Sequence, residues 1–172
     1  MNKPLINIAD ASSEANAPGA HFERVTTALS AALGARSIGA NITRVPPGKA
    51  AFPLHHHSAN EEHFFIISGS GTLRRGSDSF PVKPYDYIVN PPGGPEQAHQ
   101  LINTGDRELV YLAISTLRLP EVVGYPDSCK TGVRVSASLS GRVMFPDSAK
   151  DTVGYWDGEG EQVAAIVLAS KK

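Results

Sequence analysis

Residues Gly48 to Gly69 read GKAAFPLHHHSANEEHFFIISG, and this stretch decides how the chain is read. Side chains alternate faces along an extended strand, so His55 and His57 point to one side and His56 to the other. Two imidazoles at i and i+2 can converge on one ion at roughly 2.0–2.2 Å. Glu62 follows and shares a strand face with Phe64 and Ile66, whereas Glu61, His63 and Phe65 share the opposite face. A bulge at the strand start would substitute Glu61 for Glu62, so both carboxylates are candidates.

Downstream, the stretch YDYIVNPPGGPEQAHQLIN (Tyr85 to Asn103) supplies a third imidazole, His99, alternating with Gln100. If the fold brings these segments together, three imidazoles and one carboxylate meet. Neutral imidazole with carboxylate suits Mn, Fe, Ni, Co or Zn and leaves the metal's identity open. Four protein ligands in an octahedral shell leave two adjacent positions for water or substrate. Such a centre can polarise a carbonyl, hold an enediolate or hydroxy acid, or activate oxygen.

Around these segments the chain has the rhythm of an all-β protein. SIGANITRV, HFFIIS, TLRR, SFPV, YDYIVN, AHQLIN and ELVYLAIS are strand-like runs between residues 37 and 115. Turn signals recur about every 8 to 12 residues, as in a sandwich or barrel. Sixteen Gly and thirteen Pro among 172 residues agree with many turns. Residues 22 to 32 fit a strand with a turn or a short helix. VRVSASL (133–139) reads as a strand, and GEQVAAIVLAS (160–170) as a strand or a helix. YPDSCK (125–130) is echoed by FPDSAK (145–150), two similar turns rather than a repeat architecture.

The formal net charge is −1, with 16 basic and 17 acidic residues and no long basic block. Nucleic-acid binding therefore has no electrostatic support. No apolar run approaches the ~20 residues that span a bilayer, and no signal peptide is visible near the start. The single cysteine, Cys129, has no internal disulfide partner, so a cytoplasmic location is expected. Ser128 and Ser148 lack an evident base, which leaves a serine nucleophile unsupported.

The two quoted stretches resemble the paired motifs of the cupin superfamily. The first has His55 and His57, then Glu62 after four residues and Gly69 after six more. The second has Pro91, Gly93, His99 and Asn103. Three departures stand out: six residues rather than five precede His55, Tyr85 occupies a glycine position, and three extra residues lie between Gly93 and His99. The resemblance covers roughly half the chain. It implies a double-stranded β-helix, or jelly-roll barrel, over 36–118, with an N-terminal arm or edge strand at 1–35 and a C-terminal extension at 119–172. It also implies one divalent transition-metal ion on His55, His57, Glu62 and His99, and a homodimer formed by edge strands.

Family analogy favours a metal-dependent enzyme on a small polar metabolite, of sugar or sugar-phosphate isomerase type. A dioxygenase or decarboxylase, a non-catalytic sugar-binding or sensing module, and a barrel whose metal is purely structural are the alternatives. No catalytic acid or base is assigned. Gln97, Gln100 and Tyr111 are the candidate substrate contacts, with Arg44 a further candidate for an anionic group. Phe64 and Ile66 are expected in the core, and Trp156 over the barrel mouth.

Overall fold

In the computed structural model, residues 4–136 and 142–147 are described. Thirteen strands form, in chain order: β1 (Ser13–Asn16), β2 (Arg24–Ala28), β3 (Ile38–Val45), β4 (His56–His57), β5 (Glu62–Ser68), β6 (Gly71–Arg75), β7 (Asp78–Val82), β8 (Tyr87–Asn90), β9 (His99–Ile102), β10 (Leu109–Thr116), β11 (Glu121–Tyr125), β12 (Lys130–Arg134) and β13 (Arg142–Pro146). Four 3-10 turns are the only helical elements among the described residues, so no helix there is long and apolar enough to cross a membrane.

The strands lie in three sheets: β1-β2-β3-β10-β5-β8, β13-β12-β11-β4, and β7-β6-β9. All named strand pairs are antiparallel. This is the double-stranded β-helix architecture, although its hydrogen-bond ladders remain three separate sheets rather than one closed cylinder. Alternation explains where the core sits. Val45, Phe64, Ile66, Ile88, Leu109 and Tyr111 point inward from the six-stranded sheet. Leu73, Val82 and Leu101 meet them from the three-stranded one. Burying a side chain of this size contributes about 1.5–3 kcal/mol.

Segments whose period was ambiguous resolve here. Residues 22 to 32 split into β2 and a 3-10 turn at Ala31–Leu33, which ends on Gly34 in the left-handed region. β12 takes up the start of VRVSASL, and 137–139 lie outside the described residues, as do 160–170, Ser148 and Trp156. YPDS begins at the end of β11 and continues as the 3-10 turn Pro126–Ser128.

The motif departures each have a structural counterpart. Tyr85 adopts φ of 77°, the left-handed conformation a glycine would take, and its backbone N–H donates to the Ile66 carbonyl at 2.8 Å. The side chain of Tyr85 stands exposed, so the cost is confined to its backbone. Part of the extra loop before His99 is the 3-10 turn Pro95–Gln97. Asn103 is buried and satisfies a turn: its amide donates to the Val45 and Arg107 carbonyls at 2.8 and 2.7 Å, and its carbonyl accepts from the Gly105 N–H.

Candidate metal centre

Strand pairing brings the three ligand segments together. His55 and His99 exchange backbone hydrogen bonds, His55 N–H to His99 O at 3.2 Å and the reverse at 2.8 Å. β4 pairs with β11, with His57 opposite Val123. β5 sits between β10 and β8, with Glu62 opposite Ser115 on one side and Asn90 on the other. The pairing of β5 with β10 shifts only at Val110/Tyr111, at the far end from Glu62.

The result is a cluster of His55, His57, Glu62 and His99 whose ligand atoms lie within 4.8 Å of one another. Glu62 is its hub: its Oε2 is 3.1 Å from His99 Nε2, 3.5 Å from His57 Nε2 and 3.8 Å from His55 Nε2. Glu61 points away and pairs with His63 at 2.8 Å, and His63 in turn contacts the Tyr87 hydroxyl at 2.7 Å. Between the two rival carboxylates, geometry thus selects Glu62. His56 is also outside the cluster, its Nδ1 bonded to the Gly93 carbonyl at 2.8 Å.

The donor set fits a metal ion on three grounds. First, His55 Nδ1 and His99 Nδ1 donate to the Pro53 and Gln97 carbonyls at 2.8 and 3.2 Å, a tautomer that leaves each Nε2 lone pair aimed inward. Second, both ring nitrogens of His57 are buried without a hydrogen-bond partner among the described residues. Such an orphan costs about 1–3 kcal/mol unless something occupies it. Third, atoms held at roughly 2.0–2.2 Å from one ion lie up to about 4.4 Å apart, so a contraction of a few tenths of an ångström closes this shell.

Electrostatics agree. Burial pushes the His55 imidazole down to about 4, against the attraction of Glu62 and reinforced by His99 and His57. It is therefore neutral, the form that ligates. Burial alone would raise Glu62, but hydrogen bonding to the His57 and His99 nitrogens holds it well below the usual carboxylate range.

A residue missed in the sequence stands behind this set. Glu121, on β11, is 1% exposed, and its Oε1 lies 3.8 Å from His57 Nδ1. That Oε1 accepts from the backbone N–H groups of Ser58 and Ala59 at 3.0 and 3.2 Å, and Oε2 accepts from the Asn60 amide. The signal was present: Glu121, Val123 and Tyr125 alternate in phase, so the carboxylate occupies an inward position.

The cluster opens onto a cavity of about 610 Å³. His55, His57, Glu62 and Phe64 line it together with the cations Arg24, Lys130, Arg134 and Arg142. The proposed substrate contacts lie elsewhere. Tyr111 is buried in the core against Phe64, with its phenol pushed up by burial. Gln100 is buried, donates to the Phe52 carbonyl and accepts from Arg74. Gln97 touches the site only through its carbonyl, which receives the His99 ring N–H. None of the three lines the cavity. Arg44 donates to Thr27 instead, and Arg24 is the arginine from that part of the chain that reaches the cavity.

Known proteins agree with this picture. Residues 41–115 match the family model of the cupin domain. The oxalate-binding protein of Thermotoga maritima is 30% identical over 74 residues, 43% of this chain and 58% of that protein. The chain spans little more than half the length of the curated relatives it matches. A crystal structure from Acidithiobacillus ferrooxidans, provisionally assigned as a sugar phosphate isomerase, is similar with a TM-score of 0.75 at 27% identity, covering 88% of this chain and 96% of that one. A cupin-superfamily sugar phosphate isomerase from Silicibacter pomeroyi shares the fold at a TM-score of 0.72 and 23% identity, covering 88% and 100% of the two chains. Fold, matched residues and the His-His-Glu-His cluster converge, and residues 41–115 form a cupin-type domain.

Proposed function

We propose that the chain holds one divalent transition-metal ion on His55, His57, Glu62 and His99 and is a metal-dependent enzyme acting on a small polar metabolite, of sugar or sugar-phosphate isomerase type. The observation that carries this reading is the convergence of the four ligand atoms at one end of a cavity large enough for a metabolite. The similarity along most of both chains to the Acidithiobacillus protein supports the isomerase type. Bound there, such an ion would supply Lewis acidity toward a carbonyl or hydroxyl oxygen.

The chain's own residues supply the rest. The Pro53 and Gln97 carbonyls orient the His55 and His99 imidazoles, Glu121 stands 3.8 Å behind His57, and Phe52 and Phe64 make part of the wall apolar. The Tyr125 hydroxyl and the Lys130 ammonium, both lining the cavity, are polar groups that can hydrogen-bond a bound metabolite. Gln97 and Gln100 act in this reading as supports behind the site rather than as substrate contacts.

A metal assay on natively purified protein, followed by isomerisation of aldose and ketose phosphates monitored by proton exchange, tests the reading. Absence of a stoichiometric transition metal, before and after incubation with Mn, Fe, Ni, Co or Zn, would falsify it. A decarboxylase or dioxygenase is the second reading, favoured by the similarity to the oxalate-binding protein. Release of carbon dioxide or uptake of oxygen on adding oxalate would select it. The outer edge of β1, which pairs only with β2 among the described residues, supports the expected homodimer. A monomeric mass by light scattering at micromolar concentration would count against it.

A further inference from the structure

The cavity is lined by more cations than anions. Arg24, Lys130, Arg134 and Arg142 line it, against the single carboxylate Glu62. None of these four cations forms an ion pair among the described residues. Arg134 and Arg142 are direct cross-strand partners in the β12–β13 ladder. Like charges facing each other on one sheet face repel, and Glu121, the partner of Arg134 in the β11–β12 ladder, has its oxygens taken by Ser58, Ala59 and Asn60. Nε of Arg134 is moreover buried with no partner among the described residues. Gly132, on the same face of β12 between Lys130 and Arg134, leaves room that a side chain would lack: a Cβ there would stand 2.9 Å from Met144 Sδ.

Two of these cations, Arg142 and Arg24, approach the ligand His55 through an aromatic ring. Arg142 donates to the Tyr125 hydroxyl at 3.2 Å, and the Tyr125 ring stacks at 6.2 Å from that of His55. Arg24 lies over the Phe52 ring at 4.1 Å, and Phe52 is 6.4 Å from the His55 ring. One aromatic ring thus separates each guanidinium from the ligand cluster. A metabolite reaching from the ligands to the cations is therefore longer than a two-carbon dicarboxylate, whose carboxylates would be used up at the ligand end.

We propose that Arg134 and Arg142, assisted by Lys130 and Arg24, form a binding site for the phosphate group of a phosphate monoester whose other end lies against His55, His57 and Glu62. The assignment rests on the metal-dependent reading and narrows its substrate class. Two guanidinium forks opposite each other match the several acceptor oxygens of a phosphate dianion, and that anion relieves their repulsion.

The test is titration of the full chain with inorganic phosphate by calorimetry, at ionic strength held constant with chloride so that screening is the same throughout. Protein treated with chelator and protein loaded with metal are both titrated, and metal content is measured on the same samples. In the chelator-treated protein, wild type should take up one phosphate, and Arg134→Gln and Arg142→Gln should each weaken it at least tenfold. Lys83→Gln, an exposed lysine elsewhere, should leave the affinity unchanged.

A second readout separates a binding role from a merely structural one. Without phosphate, Arg134→Gln should melt at a higher temperature than wild type, and phosphate should raise the melting temperature of wild type but not of the variant. Wild type that ignores phosphate, or Arg134→Gln that binds it equally well, overturns the site. Oxalate affinity falling in step with that of phosphate overturns the assignment to a phosphate monoester. Phosphate binding that survives in a chain unable to take up metal sinks the metal reading alone.

Discussion

The two ends of the cavity solve opposite electrostatic problems. At the ligand end, three imidazoles surround one carboxylate, and Glu121, a second buried carboxylate, stands behind them with its oxygens satisfied by Ser58, Ala59 and Asn60. On the basic wall, Arg134 and Arg142 face each other across the β12–β13 ladder with no ion-pair partner among the described residues. The ligand end is preorganised from within the chain. The basic wall has no ion pair of its own among the described residues. That difference teaches where binding energy and stability come from: the first end is built to hold an ion, and the second carries a cost that an anionic ligand removes.

The sharpest way to break the comparison is to remove a ligand. His57→Ala or His99→Ala should reduce metal content from one ion per chain to near zero by elemental analysis while the far wall keeps its phosphate affinity. Loss of both together would mean that the ends are not separable. Next in size is the apolar core, which belongs to neither end. Ile66 is fully buried among Phe64, Leu109 and Tyr111, and Ile66→Ala should cost about 2–5 kcal/mol in denaturant unfolding. A charge-neutralising change at the basic wall should instead raise stability, so the two variants should move the midpoint in opposite directions.

Glu121 joins the ends, because β11 pairs with β4 on one side and β12 on the other. Glu121→Gln should weaken metal binding about 10–100-fold, the range for groups that orient a metal-bound histidine. An unchanged affinity in competitive chelator titrations would reduce Glu121 to a structural acceptor. Smaller still is the turn at Tyr85. Holding a non-glycine residue left-handed costs about 1–2 kcal/mol, and glycine gives back about 0.5–1 kcal/mol through its greater freedom in the unfolded chain. Tyr85→Gly should therefore raise the melting temperature slightly, with metal content unchanged.

The smallest effect is a pH dependence at the surface. The Arg74 guanidinium, hydrogen-bonded to Asp127 at 2.8 and 3.2 Å, holds the Asp127 carboxyl below its ordinary value. A folded-state value below the unfolded one gives stability that is present at neutral pH. It is lost as pH falls below the unfolded value of about 3.9. Both groups are largely solvated, so Asp127→Asn should lower the melting temperature only marginally at pH 7, with the difference vanishing in acid.

Much of this organisation was legible in the sequence. Strand alternation alone put His55 and His57 on one side, because the side-chain period of a strand is independent of its partners. Turn residues located most of the strands between 37 and 115, since glycine, proline and asparagine act locally through backbone conformation. The resemblance of the two motifs pointed to Glu62 and His99, and geometry agreed with both despite the longer loop.

What lay beyond the sequence depends on partners distant along the chain. The sequence by itself determined the local terms: which residues alternate, where turns fall and which side chains can ligate a transition metal. Only the tertiary structure decided the non-local ones. Glu62 rather than Glu61 follows from where β5 enters its ladder. Gln100 and Tyr111 turn away from the cavity because their polar and apolar neighbours arrive from other strands. Glu121 meets His57, and Arg24, Arg134 and Arg142 meet at the cavity, only through pairing in two different sheets, which no local pattern encodes.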